Sequence, residues 1–399
     1  MEKIELNNKK RLMKYNKLSK EEIMHYLDDA IVKVNRLIEK VGYDEFLHTN
    51  SRNGIYPKAL NDQWTNGFWT GIIWQMYLYT KNEKYFNTGK LHTKLFDQRA
   101  SKGHDGLTNH DVGFLYCLSV VADYKITGDK YALDVALKAT KVLAERFLPN
   151  VGVIQAWGKI GEGGVNKNRV IIDTNMNLPI LYFIANEIND SKYSDIATSH
   201  LNKTIPCLIR EDGTTYHTFH YDDNGNPLRP STHQGKNDYS IWTRGLSWGI
   251  YGYPLIYKYN RERKDLIPLA KNILNAFLNR LPDDLVCPWD YDYECYDGVL
   301  KDAGTMPIVA LGILEMIKYK EYFTEDEIQD YELIAHNILQ VLIKNNYIAF
   351  ENTPWEDGFV RHSVKSIYNE GINEFCLWGD YYYIELLMKL YNDKTVQFW

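Results

Sequence analysis

The chain of 399 residues is poor in cysteine, with five scattered thiols (Cys117, Cys207, Cys287, Cys295 and Cys376) and no CxxC spacing. That pattern excludes a disulfide framework and a thiolate zinc site, and it favours reduced thiols. Positive charge is also short: the formal net charge is -6, so the basic footprint of a nucleic-acid-binding surface is missing. No run of about 18 apolar residues is present, and no Pro/Gly/Ser-rich linker or low-complexity tract divides the chain. The opening stretch MEKIELNNKKRLMKYNKLSKEE lacks the apolar region of a signal peptide. These absences predict a soluble cytoplasmic protein with no membrane partner, built as one large domain in which residues 1–18 form a loose N-terminal extension.

Aromatic residues are abundant, with 31 Tyr and 10 Trp. Their flat apolar faces and polar edges serve helix interfaces and wet, carbohydrate-sized clefts equally well. Ser19 to Gly42 reads as a helix: Ser19 and Glu22 form a capping box, and Ile23, Leu27, Ile31, Val34, Ile38 and Val41 recur at helical spacing. Gly67 to Thr80 reads as a mostly buried helix. Its ending, YLYTKNEKY, is echoed by DYKITGDKY, ANEINDSKY, YKYNRERKD and IKYKEYFTEDE. In each, an aromatic-rich helix stops at a short polar turn and an amphipathic helix begins. The period is too loose for a strict solenoid. Five such hairpins, together with the first helix paired against the last (CLWGDYYYIELLMKL), predict twelve helices in a closed, all-α six-hairpin toroid. The connections on the other side are long: His217 to Gly235 contains an Asn-Gly turn able to form a small hairpin, and such loops are more often functional than idle.

Two aspartates stand where helices begin. Asp111, in NHDVGFLY, reads as an N-cap or as a carboxylate kept ionised by a helix N-terminus. Asp173, in IIDTNMNLPIL, has apolar neighbours that raise a carboxyl pKa by desolvation, as a general acid requires; a plain N-cap is the alternative. Arg244, in WTRGLSWG, reads as an arginine stacked on tryptophan, or as a partner for a substrate carboxylate while Trp248 stacks on a ring. His217, His220 and His233 lack the fixed carboxylate spacing of a metal site, and no cofactor is implied. The run Arg361 to Lys365 is either a solvated loop or donors for a sulfate or phosphate ester.

NDQWTNGFWTG, NHDVGF, IIDTNMNLPIL, HQGKNDYSIWTRGLSWGIYGY and LWGDYYYIELL resemble, in the same order, the unsaturated glucuronyl hydrolases of glycoside hydrolase family 88. The resemblance covers nearly everything past about residue 20. It implies an (α/α)6 barrel that removes the terminal 4,5-unsaturated glucuronic acid from lyase-generated glycosaminoglycan disaccharides, of chondroitin or hyaluronan type, by hydrating the vinyl ether. By resemblance, Asp173 matches the general acid/base and Asp111 the second essential aspartate. His217, Gln234, Arg244 and Trp248 match residues around the uronate, and Trp64 (rather than Trp69), His110 and Trp157 match others lining the pocket. The family's sulfate-preferring members carry Ser-x-x-Ser-x-Lys; here Val360 replaces the first serine, while Ser363 and Lys365 match, which implies modest sulfate tolerance. The related alternatives are an unsaturated rhamnogalacturonyl hydrolase acting on pectin fragments and a sugar epimerase on the same toroid.

Overall fold

The computed structural model describes residues 2–399. Twelve helices follow in order: α1 (Lys20–Val41), α2 (Asn66–Thr80), α3 (Glu83–Ala100), α4 (Val112–Tyr116 continued by Ala122–Thr127), α5 (Lys130–Ala144), α6 (Pro179–Ile188), α7 (Lys192–Leu208), α8 (Thr243–Tyr259), α9 (Leu266–Asn279), α10 (Thr305–Met316), α11 (Glu325–Lys344) and α12 (Leu377–Tyr391). The two pieces of α4 are joined by a π-helical turn, Cys117–Val121, which the sequence pattern had not signalled. The even-numbered helices form the inner ring, and each of α2, α8, α10 and α12 is buried along most of its length. Odd-numbered helices lie outside and alternate buried and exposed positions, as α1 and α11 do. The ring closes where α12 packs on both α10 and α2, with α1 behind it.

The repeated polar turns have a local cause. The inner helices α2, α4 and α6 stop at Lys81, Gly128 and Asn189, each with positive φ (57°, 74° and 52°). A left-handed residue satisfies the last carbonyls and turns the chain back. Asn82 and Asp129 then cap the outer helices that follow, accepting from the backbone N–H of Lys84 and Tyr131. Capping boxes Ser19/Glu22 and Thr324/Glu327 open α1 and α11. Inner helices approach closely: a Cβ on Gly67 of α2 would lie 2.0 Å from the Phe114 carbonyl of α4.

The short turns gather at one end of the barrel, so the long connections that enter the inner helices gather at the other. One of them carries the small hairpin expected around Asn224-Gly225: strand Thr218–Tyr221 pairs with Pro227–Ser231, and also with Arg169–Ile171. The opposite end is plugged by residues 392–399. Trp399 is buried and stacks on Tyr382 with centroids 6.2 Å apart, while Lys125 donates to the carbonyls of Gln397, Phe398 and Trp399. No helix among the described residues is long and apolar enough to cross a membrane.

Residues 2–18, expected to be loose, are instead strapped across the outer layer. Asn272 Oδ1 accepts from Ile4 N, Asn275 Nδ2 donates to Ile4 O, and Asn279 takes Asn7 N while donating to Glu5 O. Asn337 on α11 pairs both backbone groups of Tyr15. Side-chain amides present a donor and an acceptor together, so a row of them can hold an extended segment as a neighbouring strand would.

Candidate active site

A cavity of about 180 Å³ opens among the long connections, lined by Trp64, Asn109, His110, Asp111, Trp157, Ile171, Asp173, His233, Gln234, Arg244, Lys365, Ser366 and Asn369. Every lining segment precedes, or lies at the first turn of, an inner helix.

Asp173 sits in a 3-10 turn, Ile172–Met176, between strand Arg169–Ile171 and α6, so it caps no α-helix. Its carboxyl is buried, and Oδ2 has no hydrogen-bond partner. Burial pushes its pKa up to about 7, against the pull of the nearby Arg244 charge and the Trp248 indole. That indole N–H lies near the carboxyl but does not reach full hydrogen-bond geometry, and it is itself unpartnered. Trp248 is wholly buried against Phe114 and Tyr382 and lies outside the cavity wall, so the ring-stacking role expected of it does not hold. It stands behind the acid.

Asp111 departs from expectation as well. It occupies the cap position of α4 but makes no capping bond, and the helical segment it precedes has five residues before the π turn. Burial, reinforced by the neighbouring Asp173, pushes its pKa up to about 8, with Arg146 and Arg99 opposing. The helix terminus therefore does not keep it ionised: desolvation outweighs the dipole. The two carboxyls form a coupled pair that retains a proton near neutrality. Asn177 fixes their segments together, taking Phe114 N on Oδ1 at 2.9 Å and donating from Nδ2 to Asp173 O at 3.2 Å.

His110 is buried, with Nδ1 3.0 Å from Thr174 Oγ1, and burial holds its pKa well below the usual histidine value. Its ring meets Trp157 edge-on, and Trp157 lies under the Arg169 guanidinium at 4.9 Å. Trp64 lines the cavity and stacks on Trp378, whereas Trp69 is fully buried. His217 lies behind the wall rather than in it: Nδ1 accepts from the N–H groups of His233 and Gln234, and the ring covers Trp242 at 4.2 Å. With Nδ1 accepting and the pKa held well below the usual value by burial, the proton resides on Nε2, which has no partner.

Arg244, at the first turn of α8, is clamped between Trp242 and Trp378 at 4.7 and 4.5 Å. Its Nη1 donates to Asp302 Oδ2 and to Val364 O, both at 2.6 Å, and Nη2 donates to Lys365 O at 3.1 Å. The cation expected to await a substrate carboxylate thus already carries one, although the residue still lines the cavity. Ser363 is removed from the site: it is fully buried against Gly304 and Gly379, with Oγ donating to Val360 O. Val360 is buried too, because Asp380 on α12 accepts its N–H. Lys365 does line the cavity, paired with Glu370 at 2.7 Å, and Gln234 Nε2 donates to its carbonyl.

Asn109, His233, Ser366 and Asn369 complete the wall without having been singled out for it. Asn109 was legible as part of the Asp111 motif, and His233 had been weighed only as a metal ligand. Nothing in the sequence marked Asp302 or Glu370.

Comparison with known proteins returns one consistent group. The Glycosyl Hydrolase Family 88 model matches residues 14–286. The chain is 36% identical over 390 residues to the unsaturated chondroitin disaccharide hydrolase of Streptococcus pneumoniae, covering 97% of this chain and 96% of that protein. The crystal structure of unsaturated glucuronyl hydrolase from Streptococcus agalactiae superposes with a TM-score of 0.93 at 34% identity, covering 100% of this chain and 99% of that one. An aspartate-to-asparagine variant of the same enzyme, complexed with dGlcA-GalNAc6S, gives a TM-score of 0.86 at 32% identity over 100% of both chains.

Proposed function

The chain belongs to glycoside hydrolase family 88, and on that premise we propose that it releases the terminal 4,5-unsaturated glucuronic acid from glycosaminoglycan disaccharides of the chondroitin or hyaluronan type. It is a glycoside hydrolase with the (α/α)6 barrel of its relatives.

The observation that carries the reading is Asp173, a buried carboxyl with an unpartnered oxygen and a pKa near 7 in the wall of a sugar-sized cavity. An acid poised near neutrality transfers protons most effectively. In this mechanism Asp173 protonates C4 of the vinyl ether, and the positive charge that develops at C5 is taken up by water. Deprotonated Asp173 then serves as the base that removes the water's proton. The hemiketal formed at C5 collapses to a ketone by breaking C5–O5, and the hemiacetal this leaves at C1 breaks down to an aldehyde and expels the second sugar. Asp111 and His110 hold the substrate from the same side, and their position beside Asp173 supports that role. Gln234, held from behind the wall by its backbone N–H donating to His217 Nδ1, supports orientation of the uronate through its side-chain amide, and the Trp64 and Trp157 faces support sugar packing. The free thiols, none of them paired, suit a cytoplasmic location.

The test is decay of the ultraviolet absorbance of the conjugated uronate, measured for wild type and Asp173→Asn on unsaturated disaccharides. Hydration removes the double bond, so absorbance falls with wild type and persists with the variant. Comparable cleavage of p-nitrophenyl glucuronide, which has no double bond to protonate, would refute the mechanism.

A further inference from the structure

Two cations line the cavity, Arg244 and Lys365, and both are already matched to a carboxylate. The two pairings differ in kind. Arg244 and Asp302 are buried together, whereas the Lys365–Glu370 pair lies at the mouth, with side chains 21% and 35% exposed. The main chain of Lys365 is fixed: its carbonyl accepts from Gln234 Nε2 at 3.0 Å and Arg244 Nη2 at 3.1 Å, and its N–H donates to Gly371 O at 2.8 Å. The tip between them is tied down by Tyr368, whose hydroxyl donates to Gly235 O at 3.0 Å. Gly371 closes the turn at φ 77°, with Lys365 Cβ too near to admit a side chain there. What remains free is the Lys365 side chain and its choice of partner.

Glu370 collects more than Lys365. Its Oε2 lies 3.4 Å from Arg52 Nη2, and Oε1 lies 3.7 Å from His48 Nε2. Groups from two separate connections therefore converge on one carboxylate at the mouth of the cavity, the arrangement that an oxyanion of a ligand would call for.

We propose that Glu370 is a specificity-determining latch: a built-in anion that occupies the Lys365 site and makes the enzyme favour an unsulfated leaving sugar over a sulfated one. The inference rests on the function proposed above. A sulfate on the leaving sugar must displace a carboxylate tethered five residues from the lysine, whose effective concentration is about millimolar or higher. It also meets the negative charge of Glu370. A hydroxyl in the same place can accept from the lysine or donate to the glutamate without breaking the pair.

The experiment measures kcat/KM on unsulfated and sulfated unsaturated chondroitin disaccharides for wild type, Glu370→Gln and the double variant Glu370→Gln/Lys365→Met. Removing one unit charge about 6 Å from the sulfate, at an effective dielectric of about 40, raises the sulfated-to-unsulfated ratio by about tenfold in Glu370→Gln. In the double variant that gain disappears, because the sulfate loses the attraction of Lys365 together with the repulsion of Glu370. An unchanged ratio in Glu370→Gln, or a gain that survives in the double variant, overturns the latch. Failure of the wild type to hydrolyse any unsaturated glucuronide counts against the function, and the latch is then read without turnover. Thermal unfolding in sodium sulfate, compared with sodium chloride at matched ionic strength, should stabilise Glu370→Gln more than wild type; equal shifts overturn the proposal.

Discussion

Replacing Asp173 by asparagine should abolish turnover and stabilise the fold, with a stabilisation that depends on pH in a defined direction. Asp173 titrates near 7 in the folded chain because burial disfavours its charge, against about 3.9 for an aspartate in an unfolded chain. The folded state then binds more protons than the unfolded state between those values, so this group makes stability fall as pH rises from about 4 to about 7 and level off above. Asparagine has nearly the same shape and nothing to ionise. The variant's advantage should therefore be small near pH 4, grow by on the order of 2 kcal/mol between about pH 5 and pH 8, and stay constant beyond. Coupling to Asp111 spreads the transition without reversing its sign. Denaturant unfolding of both proteins across that range, with constant m-values, measures the difference directly. A difference independent of pH, or an advantage largest in acid, would refute the argument that desolvation governs this carboxyl. The activity profile carries the same sign: wild-type kcat/KM should fall as pH rises through about 7, where the acid loses its proton.

Asn177→Ala removes the link between the two aspartate segments and leaves the buried N–H of Phe114 unpaired; it should cost about 1–3 kcal/mol and lower kcat more than it raises KM. Urea unfolding and steady-state kinetics check both parts. Arg244→Met leaves Asp302 buried without its partner and should destabilise the fold by about 3–5 kcal/mol, while the double variant Arg244→Met/Asp302→Asn recovers a large share of that loss in the same unfolding assay.

The hairpin architecture was readable because its signals are local. A helix stopping at Lys81, Gly128 or Asn189 and restarting at a cap a few residues on is written in consecutive residues, and so are the capping boxes of α1 and α11. The members of the site were readable for the same reason, since Asn109 to Asp111 and Asp173 fall within short motifs at the mouths of inner helices. What failed were statements that need a partner distant in sequence. Asp111 looked like an ionised cap from its neighbours, yet its state is set by burial and by Asp173. Arg244 looked free until Asp302, 58 residues on, was placed against it. Trp248 and Ser363 sat in the right motifs but lie behind the cavity wall, because the depth of a side chain on a wholly buried inner helix or strand is not encoded by a periodic pattern. The strap at residues 2–18 finds its amides about 270 residues away.

These corrections share a direction. Read locally, the site is a set of charges: an ionised Asp111, a free Arg244 and a free Lys365. In the folded chain the acids are pushed toward their neutral forms, and both cations lining the cavity already hold carboxylates. A cavity near electrical balance attracts an anionic uronate less strongly than bare cations would. On the function proposed above, it would also leave the substrate's charge incompletely neutralised when proton transfer begins. Protonating the double bond places positive charge on a ring whose own carboxylate lies next to it, so a uronate not fully matched by the protein stabilises that charge most. On the mechanism proposed above, the pairing of Arg244 with Asp302 should favour the transition state over the bound substrate, the difference that raises kcat rather than lowering KM.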